Sequence, residues 1–252
     1  MNQWKYEEEF NIALNAVEKV YEQIISNTSL SINLKSDNTL VTNIDVATDE
    51  YLMSHIKGYF QHDNFLTEEK DSENAIHDRT WIIDPIDGTE HFIKDSIFWG
   101  IQLAFSVDNE IQFSIIYLPK INELYYAKKG FGVYLNEKKI TRNQNITLEQ
   151  SLIEFGGSLN KYWNEKKVYL DKLIRTTQGT SKILHINCSC FSFANLISGR
   201  TDVLIESTRK IWDIAPGQFM CEELEIPNYQ LNDGMLNVFS LSKDVDNILL
   251  NM

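Results

Sequence analysis

What this chain has little of narrows the field first. Its 252 residues include only four prolines and three cysteines, Cys188, Cys190 and Cys221. An odd set whose one close spacing is a single C-x-C makes neither a disulfide framework nor a zinc-ribbon ligand set. It reads as reduced thiols, packed as small core residues in a reducing compartment. No stretch reaches the roughly 18 consecutive apolar residues that a membrane span requires. The opening residues MNQWKYEEEF are acidic where an export signal carries a basic region and an apolar run, so the expected location is cytoplasmic. Basic residues are outnumbered 23 to 36, giving a formal net charge of −13, which disfavours nucleic acid and anionic membrane as partners. A phosphorylated ligand is still permitted if cations held by carboxylates reverse the local potential. Repeats, low-complexity runs and Pro/Gly-rich linkers are missing too, so any domain boundary is soft.

What is present is the pattern of a globular α/β protein. With 43% hydrophobic residues the chain can bury a substantial core. Apolar residues at three- and four-residue spacing from Phe10 to Ile24 predict an amphipathic helix. A second runs through Val46, Leu52, Ile56 and Phe60, with Asp45 near its start and Gly58 near its end. Phe65–Thr67 and Thr80–Ile83 read as short buried strands that end in acidic residues. Alternating and β-branched runs between Ile97 and Leu135, divided by turns at Asp108-Asn109 and Pro119–Asn122, predict an antiparallel meander. Beyond residue 143 come a strand at Ser151–Phe155, a helix ending near Gly199, a strand across TDVLIES and a helix from about Trp212. Helices flanking an extensive sheet predict a layered α/β (α+β) sandwich, divided into residues 1–142 and 143–252.

The segment WIIDPIDGTEHF, residues 81–92, carries the chemistry. A strand delivers Asp84 to a sheet end, Pro85 fixes the backbone, and Asp87-Gly88 supplies a turn. Two carboxylates separated by two residues repel unless each faces water or both face a cation. With the Ile86 carbonyl they make three oxygen donors in four residues, which suits a hard divalent ion such as Mg²⁺. The amides of Gly88 and Thr89 can meet an anionic oxygen, because glycine permits close approach. Two further acidic sites stand in similar settings: FLTEEK, with Glu68 and Glu69 after a short strand, and IWDIAPG, with Asp213 at a strand-to-helix passage.

The ordered set LVTNID, TEEK, WIIDPIDGTEHF and IWDIAPG, spanning residues 40–217, resembles the inositol monophosphatase family of Mg²⁺-dependent, lithium-sensitive phosphomonoesterases. The resemblance implies a layered α-β-α-β-α sandwich of the inositol monophosphatase/fructose-1,6-bisphosphatase type. It implies two or three Mg²⁺ ions, with Mn²⁺ as a substitute and Li⁺ and Ca²⁺ as inhibitors. Glu68, Asp84 and the Ile86 carbonyl match the first metal site; Asp84, Asp87 and Asp213 match the second. Asp45 and Thr89, with Glu68, match the group that orients and activates the attacking water. Asp87, Gly88 and Thr89 fall on the phosphate side, and Ser189 and Glu206 on the side that contacts substrate hydroxyls. The implied partner is a small phosphorylated substrate, and a homodimer is a further expectation from the family.

Some residues depart from the family pattern. His91 stands where asparagine is usual, and Asn187–Ser189 reads NCS where a small G-S/T-A segment is usual. CEELEIPNYQ follows IWDIAPGQFM, with no glycine pair. These changes fall on the substrate side. They leave open an alternative substrate, a nucleotide 3'-phosphate or a sugar bisphosphate, and a catalytically silent sugar-phosphate-binding protein. A haloacid dehalogenase-type phosphatase needs an aspartate nucleophile in D-x-D near a first strand, which the two-residue gap and late position of DPIDGT do not supply.

Overall fold

The computed structural model describes residues 4–35, 39–70, 76–142, 146–157, 182–207, 210–231 and 236–242, with helical positions 164, 167, 168, 171 and 175. Helix α1 (Glu7–Val20) buries Phe10, Ala13, Val17 and Val20, the stripe set by its three- and four-residue spacing. Three glutamates in its first turn complement the helix dipole, and a π-helical turn at Tyr21–Ile25 continues it. Strands β1 (Ile32–Leu34) and β2 (Leu40–Thr42) pair antiparallel and lead into α2 (Asn43–Lys57). A capping box of Thr42 and Asp45 starts α2, and Gly58 ends it.

Seven strands follow in chain order across one sheet: β3 (Asn64–Thr67), β4 (Arg79–Asp87), β5 (Gly100–Val107), β6 (Glu110–Leu118), β7 (Glu123–Lys128), β8 (Gly132–Leu135) and β9 (Lys138–Lys139). β3 and β4 are parallel, and the remaining pairs are antiparallel. The expected meander is there, starting at Gly100 rather than Ile97. β4 corrects a second expectation: the strand does not stop before Pro85 but shifts register between Asp84 and Asp87, and Asp87 pairs with Gly100. A bulge accommodates the missing proline N–H without ending the strand. Short helix α3 (Thr89–Ile93) follows.

A second sheet has the order β11-β10-β12-β14-β13, from β10 (Leu152–Phe155), β11 (Lys182–His185), β12 (Val203–Glu206), β13 (Asn228–Leu231) and β14 (Leu236–Ser240). Helices α4 (Ser189–Ser198) and α5 (Ile211–Glu223) lie between the sheets: Phe193, Leu196, Phe219 and Met220 share one buried cluster with Leu118 and Tyr125 of the large sheet and Leu204 and Phe239 of the small one. On the other face of the large sheet, α1 and α2 cover Trp81, Phe105 and Phe113. Each such buried side chain contributes roughly 2 kcal/mol. Among the described residues the layers run α/β/α/β, in keeping with the expected layered sandwich. The described residues include no helix long and apolar enough to cross a membrane.

Candidate active site

A cleft of about 220 Å³ opens at one end of the large sheet, lined by Thr39, Leu40, Glu68, Asp84, Ile86, Asp87, Gly88, Thr89, Glu90, Asn187 and Asp213. Parallel pairing explains the first encounter. Thr67 is in register with Ile83, so Glu68 and Asp84, each one residue further on, emerge at the same sheet end. The bulge then returns Asp87 to the same region, where its Oδ2 accepts from Gln102 Nε2 at 3.0 Å and from the Cys190 N–H at 2.5 Å. Asp213 is not the cap of α5. It sits in the first turn, and neighbouring Trp212 holds that turn against Leu66, Ile82 and Ala104.

Asp45 stands behind the cleft wall and is buried. One oxygen, Oδ2, accepts from the Thr42 N–H at 3.0 Å and from the Thr42 hydroxyl, closing the capping box. The other, Oδ1, lies 3.0 Å from Thr89 Oγ1, which also lies 3.2 Å from the Ile86 carbonyl oxygen. The single Thr89 proton therefore has two acceptors. Gly88 makes this corner possible: its φ is +86°, and a Cβ there would come within 2.7 Å of the Phe98 carbonyl oxygen.

The cluster is electrostatically unbalanced. Burial first, then the charges of Glu68, Asp87 and Asp213, pushes the Asp84 carboxyl well above its ordinary range. Burial and then the Asp213 charge push Asp87 up to about 8. Burial also raises Asp45, partly offset by its Thr42 and Thr89 hydrogen bonds. Asp84 Oδ1 is buried without a hydrogen-bond partner among the described residues. A cation stands beside the cluster: Lys35 Nζ lies 2.8 Å from Glu68 Oε1 and 3.0 Å from Glu69 Oε1. Burial opposes its charge, but the two carboxylates prevail and raise its pKa.

Of the residues singled out in the sequence, Glu68, Asp84, Ile86, Asp87, Gly88, Thr89 and Asp213 line the cleft, and Asp45 touches it through Thr89. Ser189 and Glu206 do not line it. Ser189 is buried in the first turn of α4. Glu206 is fully buried and accepts from the Ser207 N–H at 2.7 Å. Thr39, Leu40, Glu90 and Lys35 were given no role in the sequence, although Leu40 opens LVTNID and Glu90 lies two residues past Gly88. Asn187 had a signal of its own, since asparagine tolerates the left-handed backbone it adopts here, φ +60°. His91 proves structural: its Nε2 lies 2.6 Å from the Ile186 carbonyl oxygen, and its ring meets Phe98 edge-on.

Comparison with known proteins points the same way. The sequence model of the Inositol monophosphatase family matches residues 5–225. The inositol-1-monophosphatase of Bacillus subtilis is 30% identical over 204 residues, which are 78% of this chain and 74% of that protein. A Thermotoga maritima protein named fructose-1,6-bisphosphatase/inositol-1-monophosphatase is 29% identical over 184 residues, 73% of this chain and 68% of its own. The solved structure of an IMPase/NADP phosphatase complexed with Mg²⁺ and phosphate has the same fold, with a TM-score of 0.79 at 22% identity, covering 98% of this chain and 94% of that one.

Proposed function

The chain belongs to the inositol monophosphatase family, and from that premise we propose that it is a Mg²⁺-dependent phosphomonoesterase acting on a small phosphorylated polyol or sugar. Membership makes it a phosphatase; the metal, the substrate class and the residue roles are our reading. One observation carries that reading: Glu68, Asp84, Asp87, Asp213 and the Ile86 carbonyl converge on one cleft, and no lysine or arginine among the described residues pairs with Asp84 or Asp87. These are hard oxygen donors, and a buried, unpartnered Asp84 oxygen is what a divalent ion would satisfy. Glu68, Asp84, Asp87, Asp213 and the Ile86 carbonyl would hold the ions. Bound magnesium supplies charge stabilisation for the phosphoryl group and acidifies water, the two kinds of help that phosphate monoester hydrolysis most needs.

The chain's own residues move the proton. Glu68 and Thr89 face the cleft and position the attacking water. Thr89 passes its hydroxyl proton to Asp45 Oδ1 as it takes one from that water. Burial makes Asp45 a stronger base than an exposed aspartate, and its second oxygen, tied into the start of α2, keeps the first aimed at Thr89. The backbone N–H groups of Gly88 and Thr89, which line the cleft, would meet the phosphate. The substrate hydroxyls are assigned to Glu90 and Asn187, which line the cleft, in place of Ser189 and Glu206, which do not.

The test is phosphate release from inositol 1-phosphate, sugar phosphates, fructose 1,6-bisphosphate and 3',5'-phosphoadenosine, each with chelator and with Mg²⁺. Metal-dependent release is expected, fastest on a monophosphorylated polyol or sugar. The name of the Thermotoga relative favours fructose 1,6-bisphosphate as the second reading. Tight sugar-phosphate binding with no release from any compound would overturn the enzyme reading in favour of a silent binding protein.

A further inference from the structure

Beside the acidic cleft lies a second set of donor atoms that hydrolysis does not use. A carboxylate oxygen of Asp87 and the sulfurs of Cys188 and Cys190 lie within 4.8 Å of one another, and both cysteines are buried. The two sulfurs are 3.5 Å apart. A tetrahedral zinc ion holding thiolates at about 2.3 Å sets its sulfur pair about 3.8 Å apart, so the two sulfurs need to open by only a few tenths of an ångström.

The fold builds this arrangement. Asn187, with φ +60°, turns the chain into α4, so that Cys188 at the helix cap and Cys190 in the first turn both meet Asp87. Cys188 Sγ lies 3.7 Å from the Asp87 carbonyl oxygen, and the Cys190 N–H donates to Asp87 Oδ2. Two glycines leave the space: a Cβ on Gly88 would come within 3.1 Å of Cys188 Sγ, and one on Gly100 within 2.8 Å of Cys190 Sγ.

Thiolates are soft donors that zinc and cadmium accept readily and magnesium does not, so this set selects a different ion from the carboxylates beside it. We propose that Asp87, Cys188 and Cys190 form a binding site for a thiophilic divalent cation of the zinc class, with water from the cleft as fourth ligand. Asp87 then belongs to two sites. An ion on its thiol side engages the carboxylate that the hydrolytic reaction needs, so the soft ion inhibits; this consequence alone rests on the proposed function.

Cadmium is the probe, because cadmium thiolates absorb in the ultraviolet. The metal-free protein, held in excess Mg²⁺ to fill the oxygen-rich sites, is titrated with Cd²⁺. One equivalent with thiolate charge-transfer absorption is expected. Cys188→Ser and Cys190→Ser should each weaken binding at least ~10-fold, while Cys221→Ser should bind as the wild type does. No absorption band, or equal affinity in all variants, overturns the site. If the serine variants fold poorly, X-ray absorption of the cadmium-loaded wild type decides: two sulfurs in the first coordination sphere support the site, and none overturns it. Zinc should also suppress Mg²⁺-dependent phosphate release in the wild type but not in Cys190→Ser. Binding without that suppression would leave the thiol site standing and count against the catalytic role given to Asp87.

Discussion

The two ends of strand β4 both gather carboxylates, and the chain treats them in opposite ways. At the start, Arg79 Nε lies 2.7 Å from Asp63 Oδ1 and Arg79 Nη2 lies 3.0 Å from Glu9 Oε1. Trp81 Nε1 donates to Asp63 Oδ2 at 2.8 Å, and the guanidinium stands over the rings of Phe60 and Phe105. Each acid there has a countercharge held in place by packing. At the finish, Asp84 and Asp87 have none among the described residues. Where carboxylates serve only to join a helix and a loop to the sheet, the chain brings its own cation. Where they face the cleft, it leaves the charge to be met from outside.

The comparison can be broken from either end. The largest effect should come from Asp84→Asn: turnover falls roughly 10³-fold or more at saturating Mg²⁺, read as phosphate release, with the fold intact by circular dichroism. Activity that survives would place the ion elsewhere. At the opposite end, Arg79→Ala strands Asp63 and Glu9 and should cost about 2–3 kcal/mol by urea unfolding, discounted because the arginine side chain is 33% exposed. Turnover per folded molecule should stay close to wild type. Equal loss of activity in both variants would erase the distinction.

A pH series sharpens the contrast further. Burial and neighbouring carboxylates raise Asp84 and Asp87 in the fold, Asp87 to about 8. A carboxyl whose folded-state pKa exceeds its unfolded value of about 3.9 binds the extra proton in the fold. The metal-free fold therefore loses stability as pH climbs from about 4 to about 8. Thermal unfolding in chelator should show a lower midpoint at pH 8 than at pH 5, a larger gain from Mg²⁺ at pH 8, and a flatter profile for Asp87→Asn. No difference between the two pH values would break the electrostatic account. The smallest effect belongs to Lys35→Met. Removing the ammonium beside Glu68 should tighten apparent Mg²⁺ affinity about 2- to 5-fold, as expected for a pair only partly withdrawn from solvent.

The parts of the site legible in the sequence were those fixed by local chain geometry. Asp84, Asp87 and Gly88 are neighbours in sequence, and the proline and glycine around them announce a bend. Gly58 likewise marked the end of α2. Glu68 and Asp213 could be placed beside them only by resemblance, because their arrival depends on strand pairing and on the packing of Trp212, and neither leaves a mark in spacing. Pro85 misled for a physical reason: in a bulge its missing N–H breaks no ladder bond. Ser189 and Glu206 were assigned to the substrate side by resemblance alone, and neither lines the cleft. Which way a side chain faces there depends on the neighbouring layer. Gly156 beside Glu206 is such a case, since a Cβ there would run into the carboxylate.

In the proposed mechanism one carboxylate joins architecture to reactivity. Asp45 starts helix α2 with one oxygen and serves Thr89 with the other. Silencing the enzyme at Asp45 would fray a helix as well, whereas a change at Thr89 leaves the cap untouched. A descendant that gave up catalysis yet stayed robust would accordingly be expected to retain its aspartate and surrender its threonine.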